Sequence, residues 1–134
     1  MREIKFRAWD LDNQRMVYDI ILSSDINILN ISYIANHWNY VFQQFVERKD
    51  NKGTEVYEGD IIECEYYEGL PTTENIDLVW RGVVEWSSDS CFHVVRKTGD
   101  GKGGYYAIRF GGSAVKRWEV IGNIYENPEL IKEK

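Results

Sequence analysis

Short stretches in which apolar and polar residues alternate follow one another along most of the chain. In residues 3–9, apolar side chains occupy every second position from Ile4 to Ala8, which places them on one face of an extended strand. Residues 10–14 are rich in Asp and Asn, whose side chains hydrogen-bond local backbone in turns, and residues 16–18 are extended again. This pattern predicts an N-terminal β-hairpin.

Further runs of the same kind are separated by clusters of Gly, Asp, Asn and Ser. The strands that they predict are 40–46, 55–67 with a bend at Gly59-Asp60, 79–86 with a kink or bulge at Gly82, 91–97, 105–110 and 118–125. Such strands, spaced by roughly 8–12 residues, predict a small antiparallel sandwich or barrel. Asn127-Pro128 predicts a short C-terminal helix, with Asn as its cap. Residues 19–40 fit neither the strand period nor the helix period.

The turn residues Asp50 to Gly53 mark a change in the pattern, and we place a domain boundary there. The prediction is an N-terminal β-rich region over 1–53 and a C-terminal small β-barrel-like region over 54–134. A single compact unit formed by both regions is the alternative.

Composition supports a folded β protein. A chain of 134 residues with 43% hydrophobic residues is long enough and apolar enough to bury a core without disulfides or metals. The aromatic fraction of 14% favours strands, because flat rings pack well on a pleated surface. Trp9, Trp86 and Trp118 lie at strand positions, and we expect them in the core.

Charge and apolar patterning set expectations about compartment. The net charge of −6 opposes non-specific binding to a nucleic-acid backbone. The N-terminus lacks the apolar segment of a secretion signal, and Ser, Asp and Asn interrupt the apolar stretch at residues 20–34, which therefore cannot span a membrane. We expect a cytoplasmic protein with no membrane contact.

Metal and redox chemistry have little support. Cys64 and Cys91 lack the spacing of paired metal ligands, and His37 and His93 are the only histidines. We predict two small thiols within strands, no metal site and no cofactor. Whether Cys64 and Cys91 lie close enough for a disulfide is left open.

Catalytic patterns are also weak. Residues 99–104 match GxGxxG, but a strand follows them where a dinucleotide site needs a helix, so we predict a hairpin loop. An acidic run (Glu58, Asp60, Glu63 and Glu65) is predicted to be a solvated edge or outer face, with Glu63 and Glu65 on one side of a strand. Asp60 is expected to fix the bend at Gly59 through its own side chain. No nucleophile triad is indicated, and we expect no catalytic residues.

Basic residues are concentrated late in the chain, and they are Arg81, Arg96, Lys97, Lys102, Arg109, Lys116 and Arg117. Cross-strand pairing with carboxylates is the simpler interpretation, and a local patch for an anionic partner is the alternative. If strands 91–97 and 105–110 pair, Arg96 and Arg109 lie near each other. These two residues, with Tyr105 and Tyr106 for stacking, are the candidate binding residues.

Four blocks of the sequence resemble the YopX family of phage and prophage proteins, in the family's order. The blocks are Arg2 to Asp10 (REIKFRAWD), Tyr57 to Ile62 (YEGDII), Gly82 to Trp86 (GVVEW) and Glu119 to Leu130 (EVIGNIYENPEL). The sequence departs from the family at Phe45 to Arg48, where a Thr-Gly-Leu stretch is usual. The resemblance implies a β-rich protein with a C-terminal barrel of the Src-homology-three type, encoded by a phage or prophage and resident in a bacterial host. It implies no activity and no catalytic residues.

These observations lead to one functional hypothesis and two rivals. We expect a non-enzymatic protein-interaction module acting on a host or phage protein, because small barrels often bind peptides by edge pairing or in aromatic grooves. The rivals are a nucleic-acid-binding small barrel that uses the basic residues between 96 and 117, and an unrecognised enzyme. Self-association of the chain is left open.

Overall fold

A computed structural model describes residues 4–21, 39–67, 79–87, 92–97, 105–107 and 115–131. Within these ranges the chain forms strands and one 3-10 helix. The strands are β1 (Lys5–Asp10), β2 (Arg15–Ile21), β3 (Tyr40–Lys49), β4 (Glu55–Tyr57), β5 (Asp60–Tyr66), β6 (Val79–Ser87), β7 (Phe92–Lys97), β8 (Tyr105–Ala107) and β9 (Val115–Asn123), and the 3-10 helix is Pro128–Ile131. Most of residues 19–40, together with Cys91 and the glycine-rich loop at 99–104, lies outside the described residues.

The fold class is mainly antiparallel β, as predicted. Several details differ from the sequence prediction. Gly82 is not a bulge, because it pairs in regular register with Ile62 on one side and Lys97 on the other. β3 runs on to Lys49, beyond its predicted end at residue 46, and β9 begins at Val115, before its predicted start at residue 118. β9 also ends early, at Asn123, because the Asn123 side chain accepts hydrogen bonds from the Tyr125 and Glu126 amides and turns the chain.

The chain divides into two compact units, Met1–Val46 and Glu47–Lys134. In the first unit, β1 pairs with β2 and β3, and both pairings are antiparallel. β1 carries buried residues on both faces, including Ala8 and Trp9. Buried Arg7 is also part of this sheet, and its Nε donates to Oε1 of Gln43 at 2.6 Å.

The predicted N-terminal hairpin is confirmed, and Asp10 organises its turn. The Asp10 carboxylate accepts hydrogen bonds from the backbone amides of Asp12 and Asn13 and from Nδ2 of Asn13. The Asn13 side-chain bond is the main reason why the pKa of Asp10 lies below its ordinary value. Gln14 closes the turn in a left-handed backbone conformation, with φ of 53°.

The second unit is built on a five-stranded half-barrel with the order β8-β7-β6-β5-β9. It meets the prediction of a small C-terminal barrel. One face of β5, β6, β7 and β9 is apolar and packs as the core. That face carries the buried residues Ile62, Cys64, Trp80, Val84, Val95 and Trp118.

Two of the three tryptophans expected in the core lie there, and one does not. Trp9 and Trp118 are 5% and 3% exposed, whereas Trp86 is 52% exposed. Trp86 occupies the core-facing side of β6 by alternation, but it is the second-last residue of that strand. The alternation therefore runs past the end of the core, and the prediction for Trp86 is wrong.

The turn at Asp50 to Gly53 is confirmed, and it covers the outer edge of β9. Oδ1 of Asp50 accepts the amides of Lys52 and Thr54, and Oδ2 accepts the amide of Val120 in β9, each at 2.9 Å. The backbone amide of Asn51 donates to the Trp118 carbonyl, and the Trp118 amide donates back to the Asn51 side chain. The turn thus satisfies backbone groups that an edge strand leaves open.

The bend between β4 and β5 is fixed as the sequence predicted. Oδ2 of Asp60 accepts the Tyr57 amide at 2.7 Å, and Gly59 has φ of 85°, a conformation that favours glycine. The Gly59 amide donates to the Val84 carbonyl, and its carbonyl accepts the Ile124 amide. This bend therefore connects β6 to the chain that leaves β9.

Two asparagines form a clip after β9. Oδ1 of Asn127 accepts the Asn123 amide, while Oδ1 of Asn123 accepts the amides of Tyr125 and Glu126. Gly122 lies directly under Asn127, because a Cβ built at Gly122 would be 2.5 Å from Oδ1 of Asn127. The predicted C-terminal helix follows as a single 3-10 turn.

Replacing Asp50 by Ala should destabilise the chain by about 3 kcal/mol, because three backbone amides lose a charged acceptor. Urea denaturation followed by tryptophan fluorescence measures the change. Asp12→Ala is the matched control, since Asp12 is an exposed carboxylate that accepts one bond at 3.3 Å. Equal effects of the two substitutions would contradict this role of Asp50.

Replacing Gly122 by Ala should cost about 1–2 kcal/mol, because the new methyl group displaces the Asn127 side chain from the Asn123 amide. Urea denaturation of a double-mutant cycle with Asn127→Ala checks this cause. Once Asn127 is truncated, the added methyl should cost less than in the natural chain, because the contacts at 2.5 and 2.8 Å are gone and the Asn127 Cβ at 3.0 Å remains. Additive losses in the double variant would show that the two residues act independently.

Candidate interaction surface

A charged surface covers the second face of β5 and its neighbours. β5 lies between β6 and β9, and Glu63 and Glu65 alternate with its core residues. In register, Glu63 is opposite Arg81 of β6 and Glu119 of β9, while Glu65 is opposite Arg117. We call this the charged face, and its members are Lys52, Glu63, Glu65, Arg81, Lys116, Arg117 and Glu119.

Arg117 is the hub of the charged face. Its Nη2 lies 2.7 Å from Oε1 of Glu63 and its Nε lies 3.0 Å from Oε2 of Glu65. Its Nη1 lies 3.6 Å from Oε2 of Glu119. The planar guanidinium presents its donors as a fixed fork, which allows one side chain to serve three carboxylates at once.

This arrangement resolves a like-charge contact. Glu63 and Glu119 are direct cross-strand partners, and two carboxylates in such positions repel each other. Arg117 lies on β9, two positions before Glu119, and its guanidinium contacts both Glu63 and Glu119. The hub therefore offsets this repulsion between β5 and β9, together with Arg81 at Glu63 and Lys52 at Glu119.

The charges are arranged in layers. The carboxylates are partly buried, with side-chain exposures of 18% for Glu63 and 17% for Glu119. Lys52 and Lys116 are 71% and 55% exposed, and each lies 3.5–3.6 Å from a carboxylate oxygen. Arg81 is 41% exposed, and its Nε donates to Oε2 of Glu63 at 2.9 Å. Lys52, Lys116 and Arg81 thus form an outer layer, while Arg117, 27% exposed, lies at the level of the carboxylates.

The arginines keep the carboxylates ionised. Partial burial raises the pKa of Glu63, but hydrogen bonds from Arg117 and Arg81 outweigh it and bring the pKa below its ordinary value. A hydrogen bond from Arg117 lowers the pKa of Glu65. The hydrogen bonds from Glu63 and Glu65 raise the pKa of Arg117. All three groups are therefore charged at neutral pH.

The acidic run was predicted to be a solvated edge or an outer face, with Glu63 and Glu65 on one side of a strand. Glu63 and Glu65 do share one face, and they do not lie at an edge, because β5 has a strand on each side. Asp60 is buried at the bend, and the carboxylates of Glu63 and Glu65 are paired with cations rather than freely solvated. The sequence missed this because it does not show that β9, from the far end of the chain, pairs with β5.

The basic residues follow the simpler of the two sequence interpretations wherever the structure describes their side chains. Arg81, Lys116 and Arg117 form cross-strand pairs with carboxylates. Sequence reasoning did not single out Lys52 or Glu119. Lys52 lies in the turn that docks on β9, and only that docking brings it to the charged face.

The four candidate binding residues are only partly placed. β7 and β8 pair as predicted, with Arg96 opposite Tyr105 and Val95 opposite Tyr106. Arg109 lies outside the described residues, so its expected closeness to Arg96 stays a prediction.

Metal binding, the cysteine and membrane-spanning helices can each be judged within the described ranges. Across them, no group of three or more His, Cys, Asp and Glu side chains is placed to hold a metal ion. Cys64 is buried in β5, and since Cys91 lies outside the described residues, the distance between the two thiols stays open. No helix found in the same ranges combines the length and apolar character needed to cross a membrane.

The fold and the charged face define a mainly antiparallel β protein with a half-barrel whose outer surface is tied together by ion pairs. The chain belongs to the YopX family, since the family model described as "YopX protein" matches residues 5–132. A search of curated proteins finds no match. Among solved structures, the chain is similar to the crystal structure of protein EF1440 from Enterococcus faecalis. The two share 21% identity over 96% of this chain and 98% of that one, with a TM-score of 0.54, which shows a common fold.

The ion pairs should make stability depend on acid pH. The pKa values of Glu63 and Glu65 are lower in the folded chain, so the pairs stabilise it above the ordinary value of 4.5. That contribution is lost as the pH falls below about 4.5 through the folded-state pKa values. Urea midpoints between pH 7 and pH 3 should therefore fall further for the natural chain than for Arg117→Gln.

Lys116→Gln is the control for this series, because an exposed lysine at 3.5 Å contributes little to the pairing. Its midpoints should follow those of the natural chain. If Arg117→Gln lost as much stability between pH 7 and pH 3 as the natural chain, the ion pairs would not be the source of the acid sensitivity.

Proposed function

We propose that this YopX-family chain is a non-enzymatic protein-interaction module, and that the charged face is its recognition surface. Its partner is a host or phage protein, and it acts in the cytoplasm of a bacterial host. The phage origin and the compartment rest on the family resemblance and on the sequence composition. The observation that carries the proposal is the layering of exposed cations over carboxylates that are fixed in the ionised form.

The protonation states argue for recognition rather than proton transfer. An efficient general acid or base has a pKa near the working pH. The arginines move the pKa of Glu63 and Glu65 in the opposite direction, away from neutrality. Groups with permanent charges in fixed positions instead suit electrostatic complementarity, which steers encounter and sets register between proteins.

The layering also suggests what the partner carries. The carboxylates lie beneath, and the exposed ends of Lys52, Lys116 and Arg81 lie outermost. A partner that approaches this surface meets positive charge first, even though the whole chain has a net charge of −6. Asp and Glu side chains of a protein partner therefore fit the charged face.

The rivals have weaker support. A nucleic-acid interface needs cations that can neutralise phosphates, but Arg117, one of the residues assigned to it, already engages three carboxylates. The enzyme hypothesis would need polar groups that converge in a pocket. Both stay alternatives to be tested beside the main proposal.

Affinity capture from infected cells tests the proposal. The tagged chain should retain the same partner reproducibly, and Lys52→Glu or Lys116→Glu should each weaken retention by about three- to tenfold, because each substitution reverses a charge in the outer layer. Lys49→Glu is the matched control, since Lys49 is an exposed lysine of the same unit outside the charged face. Quantitative mass spectrometry of the retained proteins gives the measurement.

Three results would contradict the proposal. The first is the absence of a reproducible partner, and the second is equal loss of retention with Lys49→Glu. The third is salt-sensitive binding of single- or double-stranded nucleic acid by the purified chain at affinities above those for protein, which would favour the nucleic-acid alternative.

A further inference from the structure

The Arg81 side chain connects the charged face to the C-terminal 3-10 helix. Its Nε donates to Oε2 of Glu63 at 2.9 Å, and its Nη1 donates to the backbone carbonyl of Leu130 at 3.0 Å. Both bonds come from one rigid guanidinium plane. The orientation that Glu63 imposes on Nε therefore also determines where Nη1 points.

The C-terminal segment is tied down at two separate places. At its start, the clip formed by Asn123 and Asn127 holds the chain where β9 ends. Further on, within the described ranges, the polar contact that joins residues 128–131 to the half-barrel is the one between Arg81 and Leu130. In the four-residue 3-10 helix, Pro128 and Glu129 are exposed and Leu130 and Ile131 are half-buried, so this hydrogen bond acts together with the partial packing of two apolar side chains.

We propose that residues 128–131 form a latch that Arg81 holds in place. The Glu63–Arg81 ion pair on the charged face controls this latch. A carbonyl oxygen accepts a charge-assisted hydrogen bond while the guanidinium stays oriented by Glu63. When Glu63 no longer orients it, or another carboxylate takes the guanidinium, the bond to Leu130 breaks and the helix detaches up to the clip. The charged face and the C-terminal segment are then coupled.

This coupling gives the fold a conformational response. Any partner that draws Arg81 away from Leu130 releases residues 128–131, whereas a contact made only with Lys52 or Lys116 leaves them in place. The clip at Asn127 limits the change to the last residues, because its bonds do not involve Arg81. The half-barrel itself does not need to rearrange.

Hydrogen–deuterium exchange of the full chain, followed by mass spectrometry, tests the latch. Arg81→Lys keeps the charge but removes the fork, so a lysine cannot hold Glu63 and Leu130 together. Exchange in peptides that cover residues 128–131 should become roughly five- to tenfold faster, as expected for the loss of one hydrogen bond to a charged group. Peptides that cover β5 should be unchanged.

Arg117→Lys is the matched control, since it makes the same substitution in the same ion-pair network but has no contact with the latch. Glu63→Gln is the second test variant, and it decides if Arg81→Lys fails to fold, because it keeps the side-chain shape and removes the charge that orients Arg81. It also weakens the pair with Arg117, and the Arg117→Lys control accounts for that change. It should accelerate exchange in the latch by about two- to fivefold. Unchanged exchange with either test variant, or equal acceleration with Arg117→Lys, would overturn the latch. The capture experiment on the charged face is independent of this result.

Discussion

The second unit depends on one constraint, which is that β5 has a strand on both sides and buried residues on both faces. Ile61 and Ile62 are fully buried although they point to opposite faces of the sheet. Glu63 and Glu65 lie on this strand as partly exposed carboxylates, and β6 and β9 supply cations to them in register through Arg81 and Arg117. The ion pairs thus offset the repulsion between neighbouring carboxylates and the partial desolvation of Glu63 in this strand order.

The sequence blocks that resemble the YopX family have structural roles wherever they are described. Gly59 and Asp60 form the bend into β5, and Asn123 and Asn127 form the clip after β9. In each case a short polar side chain satisfies backbone amides that the strands leave without partners. The resemblance thus identifies a fold through its turns, whereas the charged face, for which we propose a role in recognition, lies on the strands.

The sequence predicted the parts of the fold that depend on neighbouring residues. The first strand, the turn at Asp50 and the bend at Gly59 all appear where expected, because local backbone preferences determine them. The alternation in the first strand does not set burial, since Lys5 and Arg7 are buried and Ile4 is exposed. The charged face was visible only as two separate facts, an acidic strand and a late group of basic residues. Its assembly needed the pairing of β5 with β9, in which Glu65 meets Arg117 from 52 residues further along the chain, and periodicity carries no information about such pairing. The misplaced Trp86 has a related cause, since alternation does not show where a core ends.

The central claim is that the arginines keep Glu63 and Glu65 ionised, as permanent charges of a surface and not as proton donors. Carbon-13 NMR titration of the side-chain carboxyl groups measures this directly, with the two midpoints reported as those of a coupled pair. The account predicts that both midpoints lie below the ordinary value of 4.5 and rise when Arg117 is replaced by Gln. A midpoint for either group above 4.5 in the natural chain, and above all one near neutral pH, would contradict it.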